Sequence, residues 1–353
     1  MDYWEKLKAK KIFLFGMGDG ADKILSVMEK KGLVCSGFFA SDEFVRGQSF
    51  RGMPVRTLGQ IEKENADFSV LVAFGSHLPE VLGKVEEIGK KHDLFLPDVP
   101  PCGGELFDGE YAEKNAGKIA LVRSLFADER SKQVFDAIVD FRLSGSLSDL
   151  RKSECDRNEV WETLLGREDA VFLDAGAYRG DTASEFLLHR KAERIIAVEP
   201  DKKSAAKCGE FLEKSGVPFE LVSAAVWDRD GVMPFLTKGS RSSRIGNGRT
   251  ETIETRSVDS ILAGRKADYI KYDVEGAERE AILGSEKTIR TFSPDLCVSL
   301  YHRGEDLLEL PLLIEKMQPG YRMFLRRFPC IPAWDLNLYC VNQSSTTRTV
   351  FMR

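Results

Sequence analysis

The segment VFLDAGAYRGDT, Val171 to Thr182, sets Asp174, Gly176 and Gly180 in D-x-G-x-x-x-G spacing, between a short apolar run and the start of a helical pattern. Glycines in such a strand-to-helix turn let a ligand come close to the backbone. Nineteen residues after Gly180, Glu199 closes the next apolar run, IIAVEPD. In open α/β sheets an acidic side chain at that place accepts ribose hydroxyls. The two features together point to an adenosine ligand. Charge narrows the choice, because Asp174 would stand where a dinucleotide places its pyrophosphate and would repel it. S-adenosylmethionine has no phosphate and carries a sulfonium and an ammonium group, for which an acidic strand end is favourable. The purely structural alternative makes Asp174 a helix cap and Glu199 a surface turn residue.

A second cluster lies in ADYIKYDVEGAEREAIL, where Asp273 ends an apolar run and Glu275 and Gly276 precede a helix carrying Ala281 and Ile282. The next apolar run, LCVSLYH, ends at His302. Ligands of open α/β sheets bind outside the carboxyl ends of the strands, so Asp273, Glu275 and His302 are expected to converge where an acceptor would meet the methyl group. The alternative reads the carboxylates as caps or dipole partners and His302 as a hydrogen-bonded strand end. Two carboxylates and a histidine could also hold a hard divalent ion, but no oxygen-rich ligand spacing accompanies them, and no metal is expected. Arg241, Arg244 and Arg249, interleaved with Gly246 and Gly248, suggest either a lid that holds an acidic acceptor or a solvated loop.

These residues need strands to position them. From Ala170 onward, apolar runs near Val171–Leu173, Ile195–Val198, Phe219–Ser223, Tyr269–Tyr272, Leu296–Leu300, Met323–Arg326 and Leu338–Val341 predict a seven-stranded α/β unit over 166–353. A smaller Rossmann-like α/β unit is expected over 1–110, with strands at Ile12–Phe15, Leu33–Phe39 and Ser69–Phe74. Between them, 111–165 has helical periodicity without strand runs and reads as a connector. Its clearest stretch is DERSKQVFDAIVDFRLSG, where Val134, Phe135, Ile138, Val139 and Leu143 share a face and Gly145 ends the helix. The first unit has its own glycine turn, GMGDG at Gly16 to Gly20, with Asp42 near the end of the next strand, an incomplete dinucleotide fingerprint. An NAD-dependent oxidoreductase built on it would have only His77 and His92 as acid or base there. The unit is otherwise expected to bind a nucleotide-linked sugar or carrier-bound glycan, or to act as a scaffold for the acceptor or for self-association.

The 353 residues carry 51 Lys and Arg against 56 Asp and Glu, a net charge of −5 without a block of one sign. That balance argues against a dedicated nucleic-acid binder, which needs a basic surface to displace counterions. The longest uncharged runs fall short of the roughly 20 residues that span a bilayer, and the charged start MDYWEKLKAKK is unlike a secretion signal. Seven scattered cysteines without a CxxC pair suit free thiols in a reducing cytoplasm.

VFLDAGAYRGDT, AVEPD, VSAAVWDRDG, TRSVDSIL, IKYDVEGAEREAILG and SLYH, in that order from about Ala170 to Arg326, resemble the FkbM family of S-adenosylmethionine-dependent methyltransferases. The resemblance implies a class I methyltransferase fold, with a seven-stranded sheet whose last strand is antiparallel, and O-methyl transfer, often to a sugar hydroxyl. By motif position it assigns Asp174, Gly176, Ala177, Gly180 and Glu199 to the cofactor, and the DVEG stretch and His302 to the acceptor side, with His302 as base; Tyr178, Thr182, Pro200, Ala225 and Asp273 are further cofactor candidates beside them. Tyr178 departs from the small polar residue usual in the family, and Tyr301 from its acidic or apolar one. The leading expectation is a cytoplasmic S-adenosylmethionine-dependent O-methyltransferase of a glycan or secondary metabolite. The alternatives are the oxidoreductase, a nucleotide-sugar-binding protein and a non-catalytic scaffold.

Overall fold

The computed structural model describes residues 2–165, 169–236, 244–245 and 251–342. The first sheet contains β1 (Lys11–Phe15), β2 (Cys35–Phe39), β3 (Ser49–Phe50), β4 (Met53–Arg56), β5 (Phe68–Val72) and β6 (Asp93–Phe95), in the order β3-β4-β2-β1-β5-β6. All pairs are parallel except β3 with β4. β1 (KIFLF) and β5 (FSVLV) are largely apolar because helices cover both faces of a parallel sheet. β3, β4 and β6 were not expected from sequence; with two to four residues of mixed polarity, they are too short to display a period.

Helices Gly109–Lys114, Ala116–Leu125, Glu129–Ser144 and Leu147–Lys152 follow, then a π-turn at Val160–Leu164. The longest ends at Gly145 in the left-handed conformation, φ 63°, where glycine carries no Cβ penalty. Its Val134, Phe135 and Ile138 are fully buried. This stretch contacts both sheets: Leu96 N donates to Gly145 O, and Ala127 N to Met323 O.

The second unit contains β7 (Ala170–Ala175), β8 (Ala192–Val198), β9 (Phe219–Val222), β10 (Ala225–Val226), β11 (Gly231–Leu236), β12 (Arg244–Ile245), β13 (Glu251–Arg256), β14 (Tyr269–Tyr272), β15 (Asp295–Ser299), β16 (Arg322–Arg327) and β17 (Leu336–Val341). Seven of these form one sheet, β16-β17-β15-β14-β7-β8-β9, with β17 antiparallel to both neighbours. They are the seven strands expected from the sequence. β10, β13, β11 and β12 form a small extra sheet. None of these four strands was expected: β10 and β12 have two residues each, β11 (GVMPFL) contains Pro234 and β13 (ETIETR) is mostly polar. Of the three arginines expected in that region, Arg244 lies in β12, while Arg241 and Arg249 fall outside the described residues. No helix among the described residues is long and apolar enough to cross a membrane.

Candidate active site

β7 delivers Asp174 to its carboxyl end, and the chain then turns through Gly176 (φ 89°), Tyr178 (φ 47°) and Gly180 (φ 85°) into the helix Asp181–His189. A Cβ at Gly176 would overlap the carbonyl of Asp273, so only glycine allows this turn to lie against the end of β14. At Gly180 a Cβ would come within 2.7 Å of the Phe211 ring. Asp174 is fully buried, and neither of its carboxylate oxygens has a hydrogen-bond partner among the described residues. Burial pushes its carboxyl up to about 7, against the pull of the Lys271 ammonium. It does not cap the following helix.

Glu199 ends β8 and bonds to the backbone on both sides. Its Oε2 accepts from Tyr178 N and its Oε1 from Asp201 N, both at 2.8 Å. It therefore holds the glycine turn as well as standing at the ribose position, and burial raises its carboxyl to about 7. Pro200 follows it, half-buried, while Ala177 and Ala225 are buried. The Tyr178 ring lies under the Arg179 guanidinium, 4.9 Å from its centroid. Thr182 Oγ1 accepts from Lys271 Nζ at 2.9 Å.

The second cluster converges as expected. His302 is 1% exposed, with Nε2 3.6 Å from Asp273 Oδ1 and 3.7 Å from Glu275 Oε2. Its Nδ1 meets Glu278 Oε1 at 2.8 Å. Glu278 also accepts from Val274 N and Gly276 N, fixing the turn that presents Glu275. Burial alone would lower the His302 pKa, but the three carboxylates, Glu278 first, push it up to about 10. At neutral pH the ring already carries its proton, which departs from the base expected at this position. Burial raises Glu275 to about 7 despite the His302 charge. Asp273 is held well below the carboxylate range: burial would raise it, but Lys271 and His302 prevail. Glu275 has φ 53°, a left-handed conformation that costs a non-glycine residue about 1–3 kcal/mol and is typical of functional sites.

Asp273, Glu278 and His302 bring ligand-type atoms within 4.8 Å of one another. Lys271, which donates to Asp273 Oδ2 at 2.9 Å, and the imidazolium already offset these carboxylates, and we assign no ion to them.

Sequence reasoning missed Lys271 and Glu278. A lysine inside the buried run YIKY is itself a signal, since a buried cation needs a partner. Glu278 looks like any first-turn glutamate, and nothing local shows that it reaches a histidine 24 residues away.

The site opens into a cleft of about 690 Å³. Its walls include Asp273, Glu275, Tyr301 and His302 from the second unit, and Gly75, Ser76, His77 and Pro101 from the first. The units are joined here by backbone bonds. Ser76 and Ile331 exchange two at 2.9 Å, and Cys102 N donates to His302 O at 3.0 Å. The first unit's own glycine turn is explained by packing. A Cβ at Gly20 would overlap the Ala73 carbonyl, and one at Gly16 would lie 2.7 Å from Phe74. Asp19 and Asp22 occupy the first turn of its helix, where a pyrophosphate would need positive potential, and Asp42 is exposed in a 3₁₀ turn. His92, at the opposite end of the strands, stacks on Phe68 and bonds Glu62.

Residues 174–323 match the family described as the methyltransferase FkbM domain. The chain is 29% identical over 153 residues to the 2-O-methyltransferase NoeI of Sinorhizobium fredii (strain NBRC 101917 / NGR234), covering 36% of this chain and 62% of that protein. It is 26% identical over 141 residues to a protein named triosephosphate isomerase from Enterobacter cloacae, covering 40% of this chain and 51% of that one. It thus spans less than two thirds of either relative. The closed eight-stranded barrel of triosephosphate isomerases has no counterpart among the described residues. The crystal structure of methyltransferase FkbM from Methylobacillus flagellatus KT superposes with a TM-score of 0.73 at 20% identity, covering 96% of this chain and 92% of that one, so the fold is shared across both units. The ordered motifs, the seven-stranded sheet with its antiparallel last strand and the match over 174–323 agree, and residues 174–323 form a methyltransferase FkbM domain.

Proposed function

We propose that the protein is an S-adenosylmethionine-dependent O-methyltransferase acting on a sugar hydroxyl. The observation that carries the cofactor is Asp174, a fully buried carboxylate with two unsatisfied oxygens beside a turn that only glycine can form. A buried, unpaired charge is costly, and a cationic ligand relieves it. When bound, S-adenosylmethionine supplies a methyl group already activated by its sulfonium. Asp174 binds the cationic end. Glu199 keeps acceptor capacity for ribose hydroxyls while it secures the glycine turn.

Chemistry at the other end requires an aligned oxygen and somewhere for its proton to go. Alignment alone can supply roughly 7–11 kcal/mol. The proton goes to Glu275, whose carboxyl near 7 and place on the cleft wall suit a general base at neutral pH. His302 stays an imidazolium, fixed by Glu278, and keeps Asp273 and Glu275 apart. The hydroxyl acceptor is supported by the 2-O-methyltransferase name of the Sinorhizobium relative. The N-terminal glycine turn, with carboxylates at its helix start, favours neither the oxidoreductase nor a diphosphate-linked sugar in that unit.

Calorimetric titration with S-adenosylmethionine and S-adenosylhomocysteine, beside NAD and a nucleotide sugar, tests this reading. The first two are expected to bind, and Asp174→Asn to weaken them at least about tenfold. Binding should also be tighter at pH 8 than at pH 6, because the Asp174 carboxyl titrates at about 7 and only its anion attracts the ligand. Binding of NAD alone would move the active site to the first unit and overturn the proposal.

A further inference from the structure

The cleft beside Glu275 has an unsatisfied group of the opposite hydrogen-bonding kind to Asp174. Trp334, on its wall, has a buried indole Nε1 that finds no acceptor among the described residues. The ring is held by the first unit: a Cβ at Gly75 would overlap it, so the indole lies against bare backbone. The paired backbone bonds between Ser76 and Ile331 clamp the same junction. A fixed aromatic face with a spare donor is what a ring bearing hydroxyls uses, through its C–H face and an oxygen.

Charge limits the occupant further. Among the lining residues, the carboxylates Asp181, Glu185, Asp273, Glu275 and Asp335 outnumber the cations Arg157, Lys271 and His302. Those cations are engaged. Arg157 bonds Glu185 and Asp335 and stacks on Phe328, Lys271 holds Asp273, and His302 is tied to Glu278. A phosphate or carboxylate in the cleft would meet an excess of negative charge and, among the described lining residues, no uncommitted guanidinium or ammonium to bind it. S-adenosylmethionine, with two cationic groups and one carboxylate, offsets only part of that excess.

The structure assigns the acceptor subsite to the junction of the two units, with Trp334 as its platform, and selects an uncharged polyhydroxylated ring over a phosphorylated or acidic one. This rests on the methyltransferase reading of the same cleft. It also gives the first unit a role in acceptor recognition, through Gly75.

The test uses the full chain saturated with S-adenosylhomocysteine and follows tryptophan fluorescence and calorimetry with four probes. Maltose and N,N′-diacetylchitobiose are the neutral ones, glucose 1-phosphate and methyl β-D-glucuronide the anionic ones. At least one neutral probe should bind saturably, with each anionic probe at least about tenfold weaker. Trp334→Ala and Gly75→Ala should abolish that binding, and Trp334→Phe, which keeps the face and loses the donor, should weaken it. All three should leave S-adenosylhomocysteine affinity within about twofold, which also reports that each variant is folded. An anionic probe binding as well as a neutral one, no saturable binding of either neutral probe, or unchanged binding in Trp334→Ala would each overturn the assignment. Failure of the wild type to bind S-adenosylhomocysteine would instead overturn the methyltransferase reading.

Discussion

Glu275 and His302 show how neighbours divide roles between adjacent titratable groups. By ordinary pKa, histidine would be the base near neutral pH and glutamate the spectator. Three surrounding carboxylates reverse this by holding the ring protonated, while burial lifts Glu275 to about 7. Glu275→Gln should therefore lower the methyl-transfer rate by about 10²- to 10⁴-fold, with S-adenosylhomocysteine affinity unchanged. The wild-type rate should rise with pH through about 7, and that limb should vanish in the variant. A pH–rate profile and a single-turnover assay check both, and a retained limb in Glu275→Gln would return the role to another group. Asp174, Glu199, Asp273 and His302 were legible in the sequence as strand-end residues, and Glu275 as the turn residue before the next helix. Their division of labour was not, because it depends on Glu278 and Lys271, which act through the folded geometry.

Strands and helices were legible where their pattern was long enough. The seven strands of the main sheet are apolar runs of four to seven residues, and the helix Glu129–Ser144 announces itself by its apolar face and its terminal Gly145. β3, β4 and β6 were invisible because strands of two to four residues carry no period, while β11 (GVMPFL) is interrupted by Pro234 and β13 (ETIETR) has a single apolar residue. Also hidden was how the connecting helices attach to β16. Arg326 and Arg327 read as the polar end of a strand, yet both side chains are buried. Arg326 bonds Asp128, Glu159 and Ser131. Arg327 bonds Ser153, Glu154 and the carbonyls of Leu150 and Cys330. Glu154 is about a third exposed and water can take it over, but Arg327→Ala leaves the Ser153 hydroxyl and the buried carbonyls without their donor and should cost about 1–3 kcal/mol. Urea unfolding measures this, and a loss under about 1 kcal/mol would show that the bonds are replaceable by water.

For the whole molecule, the raised carboxyls make stability depend on pH in an unusual direction. Asp174, Glu199 and Glu275 titrate at about 7 when folded and near 4 when unfolded. They contribute stability at low pH that is lost as pH rises through 7. His302, raised to about 10, contributes stability below its unfolded pKa and loses it as pH climbs toward 10. Asp273, held low, matters only in stronger acid. These terms add in the same sense, so the ligand-free protein should melt at a higher temperature at pH 5.5 than at pH 8.5. S-adenosylhomocysteine should narrow the gap, and Asp174→Asn should raise the melting temperature at the alkaline end; a melting temperature that climbs steadily from pH 5.5 to 8.5 would contradict this. The position of β17 has a different consequence, for engineering. Last among the seven in the chain, it lies between β15 and β16 in the sheet, beyond the end of the family match at residue 323. A cut at that boundary would therefore divide the main sheet. A graft ending there would leave β15 as a raw sheet edge and carry neither Trp334 nor the arginines that moor the helices. An exchanged piece keeps the main sheet whole only where it runs through β17.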